Sequence, residues 1–162
     1  MLNERLLERI KSQSADMVLR PGGIQDFTSV FNLYAMKLVE EEHIELTPDV
    51  VASAGAAILD VLVNPQRCTL LAVADNIIVG QLFFEPLPEH TSKGTYIYCY
   101  SIFVHPQYRK QGIAQRLIAA VTDHAKSISA TRLTFFHGPE GCSKFYESLG
   151  ATVSKIEYEV II

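Results

Sequence analysis

Cysteine is scarce and unpatterned in this chain. Cys68, Cys99 and Cys142 are the three in 162 residues, far apart and without a Cys-x-x-Cys pair; this argues against a disulfide framework and against a zinc site. The five histidines form no His-x-His or His-x-x-x-His spacing, so no metal is expected. No apolar run approaches the roughly 18–20 residues of a membrane span. The opening MLNERLLERIKSQSAD has neither an uninterrupted apolar core nor a small-residue cleavage site, against a signal peptide. A reduced, cytoplasmic setting without membrane contact is the expectation. Basic residues are outnumbered, 14 Lys and Arg against 18 Asp and Glu for a net charge of −4. That balance speaks against a nucleic-acid surface and suits a cationic substrate. Low-complexity tracts and internal repeats are absent too.

What is present reads as one soluble globular domain. Apolar residues make up 48% of the chain, and its length falls in the range of about 100–200 residues typical of a single domain. Residues 1–16 carry Leu2, Leu6, Leu7 and Ile10 at helical spacing between charges, predicting a short amphipathic N-terminal helix. The main domain spans 17–162. MVLRPGG predicts a short strand, and Asp26 a cap for a helix through His43. Thr47-Pro48 is an N-cap with a first-turn proline for a helix ending near Asn64-Pro65. CTLLAVAD and IIVGQLFFEPL, joined by Asp75-Asn76, read as a hairpin that Pro86 and Pro88 end. TYIYCYSIFVH is a long strand, a helix runs from Ile113 past Ala125, and TRLTFFHG is a further strand. A short helix closed by Gly150 follows, and ATVSKIEYEVII supplies one or two last strands. The expected fold is α/β: a mixed, mostly antiparallel sheet of six to seven strands flanked by helices. One strand–helix–strand crossover makes a parallel pair of TYIYCYSIFV and TRLTFF.

The chemistry concentrates at that crossover. VHPQYRKQGIAQRL sets Pro106, then Arg109, Lys110 and Gly112, between a strand and a helix. Helix N-terminal N–H groups, the positive end of the macrodipole and two cations together make a site for a phosphate or pyrophosphate. A strand-to-helix turn with two solvated cations is the plainer reading of the same residues. Neither G-x-G-x-x-G nor G-x-x-x-x-G-K-[ST] occurs, so dinucleotide and nucleoside-triphosphate loops are not expected.

The stretch Arg109-Lys110-Gln111-Gly112-Ile113-Ala114 resembles motif A of the GNAT N-acetyltransferase superfamily, [QR]-x-x-G-x-[GA]. KFYESLGA further on resembles its motif B, at the usual interval. The element order from Met17 onward is similar as well. The resemblance implies acetyl-CoA as cofactor. Its pyrophosphate would lie on backbone N–H groups of Arg109 through Ala114. Its pantetheine would pair beside Ile102, Phe103 and Val104, where the parallel strands splay. Tyr146 would be the general acid for the departing thiolate, the alternative being a helix residue that fills the core.

The chain departs from the family where relatives carry a carboxylate on the motif A strand. Tyr100 and Ser101 stand there, leaving Glu85 as the nearest acidic candidate for a base, or else a loop-edge residue. The asparagine common before motif B is missing; His137 lies near, and reads equally as a structural histidine. Cys142, one turn before Tyr146, reads as a small buried residue rather than an acyl carrier. Glu40, Glu41, Glu42 and Glu45 make an acidic run where relatives wall the acceptor site, or a solvated face. The resemblance implies an acetyl-CoA-dependent N-acetyltransferase acting on a primary amine by direct attack in a ternary complex. The alternative is a degenerate member that binds CoA or acyl-CoA without catalysis. The partner is a small-molecule or peptide amine. The N-terminal helix and apolar last strand are surfaces on which a homodimer could form.

Overall fold

The computed structural model describes residues 17–90, 93–136 and 142–153. The expected N-terminal helix, the final strands beyond 153 and His137 lie outside the described residues. Five strands form one sheet in the order β1 (Met17–Pro21), β2 (Cys68–Ala74), β3 (Ile77–Pro88), β4 (Thr95–Val104) and β5 (Leu133–Phe135). The first four pair antiparallel, and β5 runs parallel to β4, the crossover expected from the sequence. Four α-helices lie among the described residues, α1 (Phe27–Glu40), α2 (Pro48–Val63), α3 (Ile113–Ser127) and α4 (Cys142–Ser148), besides short 3-10 turns at Ile24–Asp26 and Pro106–Tyr108.

Local signals account for most boundaries. Asp75 and Asn76 both take positive φ, 51° and 61°, the conformation a two-residue hairpin turn demands. Thr47 caps α2, its Oγ1 accepting from the Val50 N–H at 3.3 Å. Two expectations need correction. Asp26 stands at the start of α1 but does not cap it. Its carboxylate takes a fork from Arg20 of β1 at 2.7 and 2.8 Å and the Gly23 N–H at 3.0 Å, so a full charge outcompetes the helix N–H groups. Pro86 does not end β3 either. Its partner Ile97 turns its N–H toward β5, donating to the Arg132 carbonyl at 3.0 Å. Pro86 therefore faces away from β4, beyond the Cys68 end of β2, and no ladder bond is lost.

Both faces of the sheet are covered. On one, Val30 of α1 and Ile58 and Val61 of α2 pack on Leu71 and Phe83. On the other, Ile113, Leu117, Ile118 and Val121 of α3 pack on Ala72, Leu82, Phe84 and Ile97. β3 lies between them and is buried from Val79 to Phe84. At Gly80 the helix comes so close that a Cβ would stand 3.0 Å from Ile113 Cγ2. This contact seats the first turn of α3 on the sheet.

Candidate active site

The register of β3 against β4 shifts between Phe83 and Phe84, leaving Tyr100 as the extra residue of a bulge. The bulge resets which way β4 presents its backbone. Before it, Ile97 and Cys99 face β5, Cys99 accepting from the Phe136 N–H at 3.0 Å. After it, the His105 N–H donates to the Val79 carbonyl at 2.9 Å, so by antiparallel alternation Ser101 and Phe103 also bond toward β3. Ile102 and Val104 thus turn their N–H and C=O groups to the outer flank. Pairing with β5 stops at Cys99–Phe135. Past that pair the flank of β4 at Ile102 and Val104 has no β5 partner among the described residues.

The loop after β4 lies at one end of this flank. Gly112 takes φ +78°, and a Cβ there would meet nothing within 4 Å. Lys110, exposed, takes φ 61°, and Gln111 beside it is exposed as well. The first bond of α3 is from the Arg116 N–H to the Gly112 carbonyl at 3.0 Å, so the N–H groups of Ile113, Ala114 and Gln115 precede the intrahelical ladder. Neither a side-chain cap nor an acidic residue stands in this first turn. α2, by contrast, has both Thr47 and Asp49 at its start. An uncapped N-terminus beside an exposed lysine favours an anion. Arg109 is occupied otherwise: its Nε donates to the Val104 carbonyl at 3.0 Å, its Nη2 lies 2.5 Å from Glu40 Oε2, and its guanidinium stands 5.1 Å from the Phe103 ring centroid. Sequence reasoning missed this anchoring role.

Tyr146 stands at the other end of the flank. From α4 its ring stacks on Phe135 at 4.8 Å between centroids and tilts against Phe145 at 5.4 Å. Phe135 is the last described β5 residue paired with β4, so Tyr146 sits where that pairing ends, on the α3 face. The thiol of Cys99 is buried and pushed up to about 12 by desolvation, and burial raises that of Cys68 as well, so neither is a ready nucleophile.

On the opposite face, Tyr100 joins the α1–α2 layer, 6.1 Å from Phe83, which is 6.4 Å from Tyr34. Glu85 pairs across from Tyr98, whose ring is 6.1 Å from that of Tyr100. Glu85 lies 3.8 Å from Arg67, whose Nη1 is 2.6 Å from Asp60 and whose guanidinium is 5.8 Å from the Tyr100 centroid. A groove of about 430 Å³ opens between α1 and α2, lined by Tyr34, Leu38, Glu42, Ile44, Asp49 and Val50 among others. Of the acidic run, Glu40 holds Arg109, and Glu41 and Glu42 pair with Lys37. Among the described residues no three metal-ligating side chains converge and no helix is long and apolar enough to cross a membrane.

Known proteins share this architecture. A ribosomal-protein-alanine N-acetyltransferase from Brucella melitensis biovar Abortus 2308 superposes with a TM-score of 0.75 at 22% identity, over 90% of this chain and 99% of that one. A predicted acetyltransferase from Clostridium acetobutylicum, solved with acetyl-CoA, gives 0.74 at 19%, covering 90% and 96%. An aminoglycoside acetyltransferase from an uncultured soil metagenomic sample, in complex with trehalose, gives 0.72 at 16%, again covering 90% and 96%. No curated protein sequence matches the chain. Those likenesses establish the fold; the family rests on residues 27–151, which match the Acetyltransferase (GNAT) family. The chain, with its loop, β4 flank and Tyr146 inside that match, belongs to the GNAT acetyltransferase family.

Proposed function

We propose that this chain is an acetyl-CoA-dependent N-acetyltransferase that acylates a primary amine by direct attack in a ternary complex. The observation that carries the reading is the flank of β4 at Ile102 and Val104, without a β5 partner among the described residues and bounded by the Gly112 loop and by Tyr146. The residues that bound this flank suit acetyl-CoA. The N–H groups from Lys110 to Ala114 suit its pyrophosphate, and the outward peptide groups of Ile102 and Val104 suit the amide-bearing pantetheine arm. Acetyl-CoA supplies the acyl group as an activated thioester. Tyr146, with a phenol pKa ordinarily about 10, can hold a proton for a thiolate whose acid has a pKa of about 8–9. The groove between α1 and α2, with Glu42 and Asp49 on an apolar wall, suits an acceptor that pairs a cationic amine with an apolar body. Glu85, on the acceptor face, is the carboxylate nearest the bulge in strand register and the candidate base.

Titration with acetyl-CoA and CoA by calorimetry tests this. Micromolar binding that Gly112→Glu weakens at least tenfold is expected, because the substitution puts a carboxylate at an anion site and a side chain at positive φ. No binding at millimolar cofactor sinks the reading. Binding without thiol release across an amine panel leaves the degenerate, ligand-binding alternative.

A further inference from the structure

Five buried side-chain atoms find no hydrogen-bond partner among the described residues: Thr69 Oγ1, Gln81 Nε2 and Oε1, Tyr100 OH and Ser101 Oγ. Buried polar groups are satisfied as a rule, and each exception asks for a reason. These exceptions are neighbours. Thr69 and Ser101 flank Phe83 in register, and Gln81 lies across from Leu71 and Phe103. Gln81 and Ser101 are therefore diagonal neighbours on adjacent strands, within reach of a long side chain. Phe83 and Leu71 pack under α1 and α2, so the whole group lies on the acceptor face, at the bulge. Gln81 is the extreme case, a carboxamide with 0% exposure in the central strand of the sheet.

We infer that Gln81, Ser101 and Tyr100 hold ordered water on the acceptor face of the β4 bulge, and that this water carries away the proton released by the attacking amine. The inference rests on the transferase reading. Amide formation makes one C–N bond and breaks one C–S bond. One proton must leave the amine nitrogen, and one must reach the departing sulfur. Tyr146 serves the second need on the α3 face. The first arises across the sheet, where Tyr100 and Ser101 stand in place of a carboxylate. A hydroxyl that takes one proton while passing on its own relays without changing charge. Burial holds the Tyr100 phenol well above its ordinary range, so it stays protonated. The Gln81 carboxamide, both donor and acceptor, orients the water without titrating. The proton reaches solvent by way of Glu85, at the edge of the same face, and solvent reprotonates Tyr146, so the balance closes.

Gln81→Met and Ser101→Ala test the inference. Methionine matches glutamine in length and removes both orphaned atoms, so an idle Gln81 would leave turnover untouched. The expected result is turnover at least tenfold lower, read as thiol release from acetyl-CoA with spermidine, kanamycin and an alanine-starting peptide. KM for acetyl-CoA is expected to stay unchanged and Tm to equal or exceed that of wild type. A crystal structure of the wild type is expected to show water bonded to the Gln81 carboxamide and Ser101 Oγ. Wild-type turnover in Gln81→Met, a lowered Tm or a dry carboxamide each overturns the inference and leaves the transferase reading intact. Wild type that releases no thiol with any of the three amines overturns that reading, and this inference with it.

Discussion

Arg109 Nη2 lies 2.5 Å from Glu40 Oε2, joining the loop after β4 to the last turn of α1. The same guanidinium bonds the Val104 carbonyl and stacks over Phe103. One side chain thus ties the proposed cofactor loop to the strand before it and to the helix that walls the proposed acceptor groove.

Lysine cannot reproduce three such engagements, because an ammonium on a flexible stem lacks the planar fork. Arg109→Lys is expected to weaken acetyl-CoA binding about tenfold, close to 1.4 kcal/mol. Its Tm should fall by less than about 4 °C, since an exposed ion pair is worth at most about 1 kcal/mol. Calorimetry and thermal unfolding of the same preparation check both; wild-type affinity would show that the fork is dispensable.

Tyr146→Phe removes a hydroxyl and keeps the ring that stacks on Phe135. General acids contribute about 100- to 10,000-fold. Turnover is expected to fall within that range, with acetyl-CoA affinity and Tm at wild-type values. Steady-state kinetics with calorimetry decides it, and undiminished turnover removes the acid role.

Asp26 sets an acid dependence of stability. The hydrogen-bonded Arg20 guanidinium, aided by the Gly23 N–H, holds its carboxyl below the usual range against the opposing pull of burial. A carboxylate depressed in the folded state stabilises above its unfolded pKa of about 3.9 and loses that contribution as pH falls through the folded value. Asp26→Asn should therefore unfold below wild type at pH 7. The gap should narrow from about pH 5 downward and close near pH 2. Melting curves across that range test it; a gap that persists at the acid end would mean that charge is not its source.

Features written in local sequence were legible. Asp75-Asn76, Thr47-Pro48 and Gly112 each need a backbone state or a cap that neighbouring residues alone dictate, and each does what its residue type requires. Asp26, Pro86 and Arg109 were misjudged or half judged because their partners come from elsewhere: Arg20 on β1, the end of β2, and Glu40 at 69 positions' remove. The bulge at Tyr100 was invisible for the same reason, since a register shift belongs to two strands at once. Gln81 did leave a signal, a lone amide in the otherwise apolar run IIVGQLFF. Its meaning depends on the burial that only the packed sheet reveals.

The short parallel pairing of β4 with β5 also divides the sheet mechanically. Three pairs, Ile97–Leu133, Tyr98–Thr134 and Cys99–Phe135, join β5 to the four antiparallel strands. Cohesion among the described strands is therefore weakest along the seam between β5 and the antiparallel block. A molecule that bonded the outward peptide groups along that seam would act as a splice. It would stiffen the hold of β5 on the antiparallel block as well as occupy a site.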